Sequence, residues 1–526
     1  MGEHLNPKLD VQTRKKFIKH LLNDVEALEQ MIREGQIEKG ISRIGAEQEF
    51  CLVNQNWRPS TDSHLVLEDL NDRHFTTELA RYNLEINLDP IELDAEALSR
   101  MERQLIDLME KANASARKHD LQTILTGILP TISKDELGLD FMTPNPRYSA
   151  LNERLKELRG RDFELKIRGV DELSLVHDSV LFEACNTSFQ MHLQIDPDDF
   201  IANYNWAQAI AGPVLGICAN SPLLLGRELW SETRIALFQQ SIDTRNSSYA
   251  LKEQQARVSF GNDWAKGSIA DIYREEIATY KIILTRDIEQ DALEELRQNR
   301  IPKLSALGLH NGTIYRWNRA CYGEANGIAH VRIENRYIPA GPSIADEMAN
   351  FAFWIGLMKG RPIEFDDMAS AMDFREAKEN FIKTARTGKS SVLSWQGELI
   401  SVRDLIVQRL LPIARSGLLS CGIPEIEINR HLGVIEARAA GKTGAQWIIY
   451  NYRKLRKTFK RDEALLLLTK SMHENAETNL PVHTWKDIDS ALQNLDFAQR
   501  VRHVMSTQLF TVRSDDSADL ATSIMR

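Results

Sequence analysis

Hydrophobic runs of membrane-spanning length are missing from this sequence; none approaches the roughly 20 apolar residues of a helical span. Cysteine is scarce. Cys51, Cys185, Cys218, Cys321 and Cys421 are odd in number, far apart and never arranged as CxxC. That excludes a disulfide framework or a zinc-finger pattern and fits reduced thiols. No GxxxxGK[ST] loop and no GxGxxG fingerprint occurs, so any nucleotide must be held in another way. Low-complexity tracts and internal repeats are lacking as well. The first residues, "MGEHLNPKLDVQTRKK", contain no apolar signal-peptide core, and Asn6 stands where a myristoylation pattern needs Ser or Thr. These absences predict a cytoplasmic chain with no membrane partner. Basic charge is not in excess either. With 65 Lys and Arg against 75 Asp and Glu, the net charge of −10 argues against a general nucleic-acid partner.

What is present is ordinary globular material. The 526 residues are 43% hydrophobic and 27% charged, enough for a large core. Residues 11–35 and 93–118 have helical periodicity, the second with Leu93, Leu98, Met101, Leu105 and Leu108 on one stripe. "ISRIGAEQEFCLV", "RYNLEINLD", "LQTILTGILPT" and "FEACNTSFQMHLQI" read as strands, and "TPNPRY" as a turn. "YNWAQAIAGPVLGICANSPLLLG" reads as a buried helix ending at Asn220, Ser221 and Pro222. "GTIYRWNRACYGE" and "GIAHVRIENRYIP" read as paired strands, and the pattern from residue 343 to about 495 is mostly helical. Strands come early and helices late, without βαβ alternation. This predicts an α+β fold built on an antiparallel sheet.

Three strand-like stretches carry polar residues at period two. In "RIGAEQEFCL", Glu47 and Glu49 share one face, since residues two apart in a strand point the same way. Gln190, His192 and Gln194 alternate with Phe189, Met191, Leu193 and Ile195. Arg332, Glu334 and Arg336 alternate with Val331 and Ile333, and "TELARYNLEIN" adds Glu78 and Glu85. Each stretch by itself fits a sheet with one solvated face. Together they offer more. Carboxylates and an imidazole suit divalent cations, with oxygen ligands favouring magnesium or manganese. Arginines beside a carboxylate suit phosphate oxygens. Such a combination is equipped for phosphoryl transfer.

These stretches, in this order, resemble the glutamate–cysteine ligase superfamily, which shares the glutamine synthetase-like catalytic fold. "GAEQEF" resembles its first-strand acidic motif, and "MTPNPRY" a segment with an Arg-Tyr pair. "CNTSFQMHLQI" is similar to its central strand, "ANSPLLLGRELWSETR" to its Asn-Ser-Pro segment, and "GTIYRWNRACYGEANGIAHVRIENRYIP" to its hairpin with an Arg-x-Glu strand. "FAFWIGLMKG" and "ARSGLLSCGIPE" resemble its later helices. The likeness covers most of residues 40–455. It implies a curved antiparallel funnel surrounded by helices, with ATP entering one end and amino acids the other.

The resemblance also implies roles. Glu49, Glu78 and Glu85 would hold one Mg2+ or Mn2+ ion, and Glu47, His192 and Glu334 a second that bridges the nucleotide phosphates. Arg332 and Arg336 would meet the transferred phosphoryl group. Gln190 and Gln194 would lie along the nucleotide, Gln190 replacing a histidine found in some members. Arg234 would bind an amino-acid α-carboxylate, with Arg147, Tyr148 and Arg319 on the substrate side and Trp317 in support. The implied reaction joins the side-chain carboxylate of glutamate to an amine through an acyl phosphate. Cysteine, giving γ-glutamylcysteine on the way to glutathione, is the default amine. No residue identifies the amine, so a ligase for another amine stays open. So does a nucleotide-responsive regulatory protein with a degenerate ligase domain. Expected partners are small-molecule substrates, and a homodimer is left open. The domain expectation is a catalytic domain over 1–477, then a linker or bridging helix over 478–500. Residues 501–526, "VRHVMSTQLFTVRSDDSADLATSIMR", resemble the first half of a CBS module.

Overall fold

The computed structural model describes residues 11–488 apart from 161, 178–179, 244 and 246–254. The segment that resembles a CBS module lies outside the described residues. The centre of the fold is an eight-stranded sheet of β1 (Arg43–Asn54), β2 (Phe75–Thr77), β3 (Asn83–Asn87), β4 (Ile91–Glu92), β5 (Leu121–Ile124), β6 (Phe189–Gln194), β7 (Asn318–Ala325) and β8 (Ile328–Asn335). The order is β7-β8-β6-β1-β3-β2, with β4 and β5 pairing along the two ends of β1. Every pairing in this sheet is antiparallel. The sheet curls into a half-barrel surrounded by helices, the curved antiparallel α+β architecture that the sequence resemblance implies.

Alternation decides which face is which. Ile44, Ala46, Phe50, Met191, Leu193 and Ile333 are buried on the convex side. There they meet two predominantly apolar, almost wholly buried helices, as enclosed helices tend to be. These are α4 (Phe200–Cys218) and α6 (Ile344–Lys359), introduced after α1 (Val11–Arg33), α2 (Ala97–Lys118), α3 (Pro146–Arg159) and α5 (Thr233–Ser241). Phe189 of β6 sits 6.2 Å from Phe351 of α6, ring centre to ring centre. Next, α4 lies against α7 (Phe374–Thr387), and Gly212 makes this possible, because a Cβ there would come within 2.9 Å of the Asn380 backbone. The concave face carries the polar set.

The structure refines several sequence expectations. "TPNPRY" is the start of a helix: the Asn145 side chain accepts from the Arg147 amide and Pro146 occupies the first turn, where its missing N–H costs nothing. The strand expected over 182–195 begins only at Phe189, because Val180–Cys185 forms a 3-10 turn. The helical stretch after residue 343 is interrupted by a hairpin, Val392–Trp395 with Glu398–Ser401. Residues beyond 477 keep packing: Val482, Trp485 and Ile488 join Trp447, Tyr452 and Leu468 in a second, smaller hydrophobic cluster. Among the described residues no helix is long and apolar enough to cross a membrane.

Candidate functional site

Strand order brings the polar faces together. β6 pairs with both β1 and β8, so His192 lies opposite Gly45 on one side and Glu334 on the other. β3 pairs β1 on its far edge and sets Glu85 opposite Glu49. Two groups result. Glu47, His192 and Glu334 place one ligand atom each within 4.8 Å of one another, and so do Glu49, Glu78 and Glu85. These are the two triads the sequence pairs by resemblance.

In the first triad, His192 Nε2 is 3.1 Å from Glu47 Oε1. Glu334 is fully buried and carries two guanidinium groups. Arg319 donates Nε and Nη2 to its two oxygens at 2.8 and 2.9 Å, and Arg336 Nη1 donates to Oε1 at 2.5 Å. The Cys321 thiol also donates to Glu334, at 3.2 Å. Arg332 does not pair with Glu334; its Nε lies 3.3 Å from His192 Nδ1. Burial works against charge on Glu334, but Arg319 and then Arg336 more than offset it and hold its carboxyl well below the usual range. Burial likewise opposes charge on Glu47, and the His192 hydrogen bond tips that carboxyl below its ordinary value.

The second triad is balanced the other way. Glu49 accepts from the Ser188 amide at 2.7 Å and from Gln190 Nε2 at 3.0 Å, while Asn87 Nδ2 donates to Glu85 at 2.7 Å. Among the described residues no lysine or arginine forms an ion pair with Glu49, Glu78 or Glu85. Burial pushes Glu49 up, with Arg234 opposing. Burial and the Glu49 charge push Glu78 to about 8. Burial and Glu78 push Glu85 well above its ordinary value. A fourth carboxyl, Glu183, is raised to about 7 by burial and Glu49. Three carboxyl groups short of positive charge fit a hard divalent cation such as Mg2+ or Mn2+.

This has a measurable consequence. A carboxyl whose pKa is raised by folding stabilises the fold fully below its unfolded value, 4.5, and that contribution is lost as pH rises through the folded value. Protein stripped of divalent metal is therefore expected to melt at falling temperature as pH is raised from about 5 to about 8. Glu47 and Glu334, shifted downward, lose their contribution only at acid pH below that window. Added Mg2+ is expected to restore the melt at the alkaline end and to release protons as it binds. Melts with and without chelator test this, and a metal-free melting temperature that holds level or rises toward pH 8 rules it out.

The remaining sequence-selected residues divide between the two ends. Arg332 and Gln194 line a cavity of about 500 Å³ beside Glu47 and His192. Its walls include Ile44, Leu88, Pro90 and Ile328, with Arg43 and His330 at the polar positions. Gln194 is tied there to Glu38 at 2.8 Å. Tyr148, at the start of α3, donates to the Thr77 carbonyl and sits beside Glu78, while Arg147 is exposed. Arg234 is buried and committed to Glu232 at 3.2 Å and to the carbonyls of Tyr337 and Arg336, leaving only its Nε without a partner. Trp317 lies in the core against Phe238 and Phe381. Sequence reasoning missed Glu183, which sits in a 3-10 turn where no periodicity marks it. It also passed over Asn87 and His330, although each extends a period-two pattern already in view, Glu85–Asn87 and His330–Arg332.

The chain matches the sequence profile of glutamate–cysteine ligase family 2 (GCS2) over residues 43–449. No curated protein sequence matches it. Among solved structures, a glutamate–cysteine ligase from Francisella tularensis in complex with AMP is 13% identical, with 89% of this chain and 94% of that one covered and a TM-score of 0.51. A bifunctional glutathione synthetase from Pasteurella multocida is 12% identical, with 86% and 55% covered and a TM-score of 0.45. At such identity the first likeness speaks for the fold, and the profile match, over more than half of the sequence, speaks for the family. The chain belongs to glutamate–cysteine ligase family 2 and is an ATP-dependent carboxylate–amine ligase.

Proposed function

We propose that this enzyme joins the γ-carboxylate of glutamate to the amino group of cysteine, giving γ-glutamylcysteine, ADP and phosphate. The observation that carries the reading is the pair of acidic triads on one concave face, flanked by Arg319, Arg332 and Arg336. The cavity bounded by Ile44, Leu88, Pro90 and Ile328 suits the nucleoside, and Arg43, His330 and Gln194 supply polar contacts around it. Arg332 and Arg336 meet the triphosphate further in. Arg336 keeps a buried Nε without a partner, one N–H to offer an anion. Divalent cations held by Glu47, His192 and Glu334 and by Glu49, Glu78 and Glu85 would neutralise phosphate charge and align the reactants.

In the first step a glutamate carboxylate oxygen attacks the γ-phosphorus and ADP leaves, forming the acyl phosphate. In the second, the amine nitrogen attacks the acyl carbon, loses a proton, and phosphate departs. No protein nucleophile takes part; the residues orient reactants and compensate charge. Arg234 holds the carbonyl of Arg336 and so fixes the end of β8 that presents it. Its Nε–H and the second N–H of Nη2 are left for the α-carboxylate of a substrate. Tyr148 and Arg147, at the start of α3, border the amino-acid side.

ADP release is measured with Mg2+, ATP, glutamate and a panel of amines. Cysteine is expected to give the highest kcat/KM. A higher value with another amine changes the substrate within the same reaction class. ATP binding without ADP release for any amine, glutamate present, defeats the proposal.

A further inference from the structure

Gly323 sits on β7 with its backbone outside the left-handed region, so no turn or positive φ requires a glycine there. The requirement is space. Register pairs Gly323 with His330 across β7 and β8, and paired residues face the same side of a sheet. A Cβ on Gly323 would fall 2.5 Å from His330 Nε2, 2.6 Å from His330 Cε1 and 3.1 Å from Arg332 Nη1. The imidazole and the guanidinium therefore both lie over the bare backbone of Gly323. Each is the far end of a side chain that can turn, so an added methyl group would displace them and leave the strand pairing alone.

Both side chains line the cavity of about 500 Å³, and Gly323 lies beneath them. On the other side of β8, Gln194 stands opposite Arg332 and is held in place. Its Nε2 donates to Glu38 at 2.8 Å, and Arg43 Nη1 donates to its Oε1 at 3.0 Å. An imidazole or guanidinium lifted off Gly323 is therefore driven up into the cavity. Arg332 would also be pulled from His192, which it meets at 3.3 Å from Nε to Nδ1. Ile328, His330, Arg332 and Glu334 follow one another at period two, from the exposed mouth of the cavity to the first triad. At about 3.4 Å per residue, Arg332 lies about 7 Å and His330 about 14 Å from Glu334 along the strand. With the transferred phosphoryl group beside Glu334, an extended nucleotide brings its phosphate chain past Arg332 and its nucleoside to His330.

We infer that Gly323 is a positioning residue for the nucleotide: its missing side chain is the recess that receives His330 and Arg332, and that recess keeps the cavity deep enough for a nucleoside triphosphate. The inference rests on the assignment of this cavity to ATP, not on the identity of the amine.

Gly323→Ala, His330→Ala and the double variant separate this role from a structural one. Calorimetric binding of Mg2+ and ATP to the full-length protein, without glutamate or amine, should weaken about tenfold in Gly323→Ala, within the range of coupling between touching residues. Its melting temperature should hold or rise slightly, because alanine suits this backbone. In the His330→Ala background the recess is no longer needed, and adding Gly323→Ala should weaken binding by less than about twofold. With turnover measured in parallel, KM for ATP should rise in Gly323→Ala while KM for glutamate stays. Wild-type ATP affinity in Gly323→Ala overturns the inference. An equal loss in the His330→Ala background also overturns it, by placing the effect in the strand itself. So does a Gly323→Ala chain that fails to fold, since both displaced groups can turn aside. A wild-type protein that binds no ATP defeats the assignment of the cavity, and the inference with it. ATP binding without product formation defeats the ligase reading alone, because the calorimetry needs no amine.

Discussion

Glu334→Gln is expected to abolish ADP release and to lower thermal stability at the same time. The substitution preserves volume and removes one charge, and the sequence by itself suggests an inactive protein with an intact fold. The structure adds the stability loss. Glu334 is fully buried and carries both Arg319 and Arg336, at 2.6 and 2.5 Å. Arginine does not shed its proton, so both guanidinium groups lose their counter-charge. Breaking a buried ion pair on one side costs on the order of 3 kcal/mol. The arginine side chains are 21% and 17% exposed, so water screens part of that cost. Turnover suffers more. The variant loses one donor of the first triad and frees the two arginines that surround the transferred phosphoryl group, and loss of such a charge-stabilising arrangement costs about 1,000-fold or more in rate. ADP release and a thermal melt read both effects. A wild-type rate with a lowered melting temperature would make Glu334 a structural acid only, and wild-type values of both would overturn each role.

Arg336→Lys is expected to slow turnover about 100- to 1,000-fold, the usual loss for one contact that stabilises developing charge. ATP affinity should change far less, because an interaction realised mainly in the transition state shows itself in kcat. Lysine keeps a positive charge and loses the planar fork. In the native enzyme that fork is divided: Nη1 serves Glu334 while Nε is buried without a partner. A single ammonium cannot hold Glu334 and also present a second N–H in a fixed direction. Calorimetric ATP binding beside ADP release separates the two effects. Equal losses in binding and rate would make Arg336 a ground-state contact.

The chemistry of the site was legible because strand alternation is local. Glu47 and Glu49, Gln190 to Gln194, and Arg332 to Arg336 each declare one polar face within a few residues. The helix over residues 200–218 was legible for the opposite reason, since it is predominantly apolar around its whole circumference and requires enclosure. What alternation cannot express is who stands opposite whom. In the sequence Arg332 stands two residues from Glu334 on the same strand, and Arg319 lies on the strand before it. Register puts Arg319 opposite Glu334 and Arg332 opposite Gln194, so only the first forms the ion pair. Glu183 and the Asn145 cap went unread because turns and helix starts rest on one or two residues, too few to set a period.

From the sequence alone came the α+β class, the antiparallel sheet, the polar residues of its inner face and a family resemblance, because each follows from residue type at short spacing. Tertiary structure alone decided the distances. Glu47, His192 and Glu334 come from strands separated by more than a hundred residues, and they meet because β6 lies between β1 and β8. That order is set by how the convex face packs on α4 and α6.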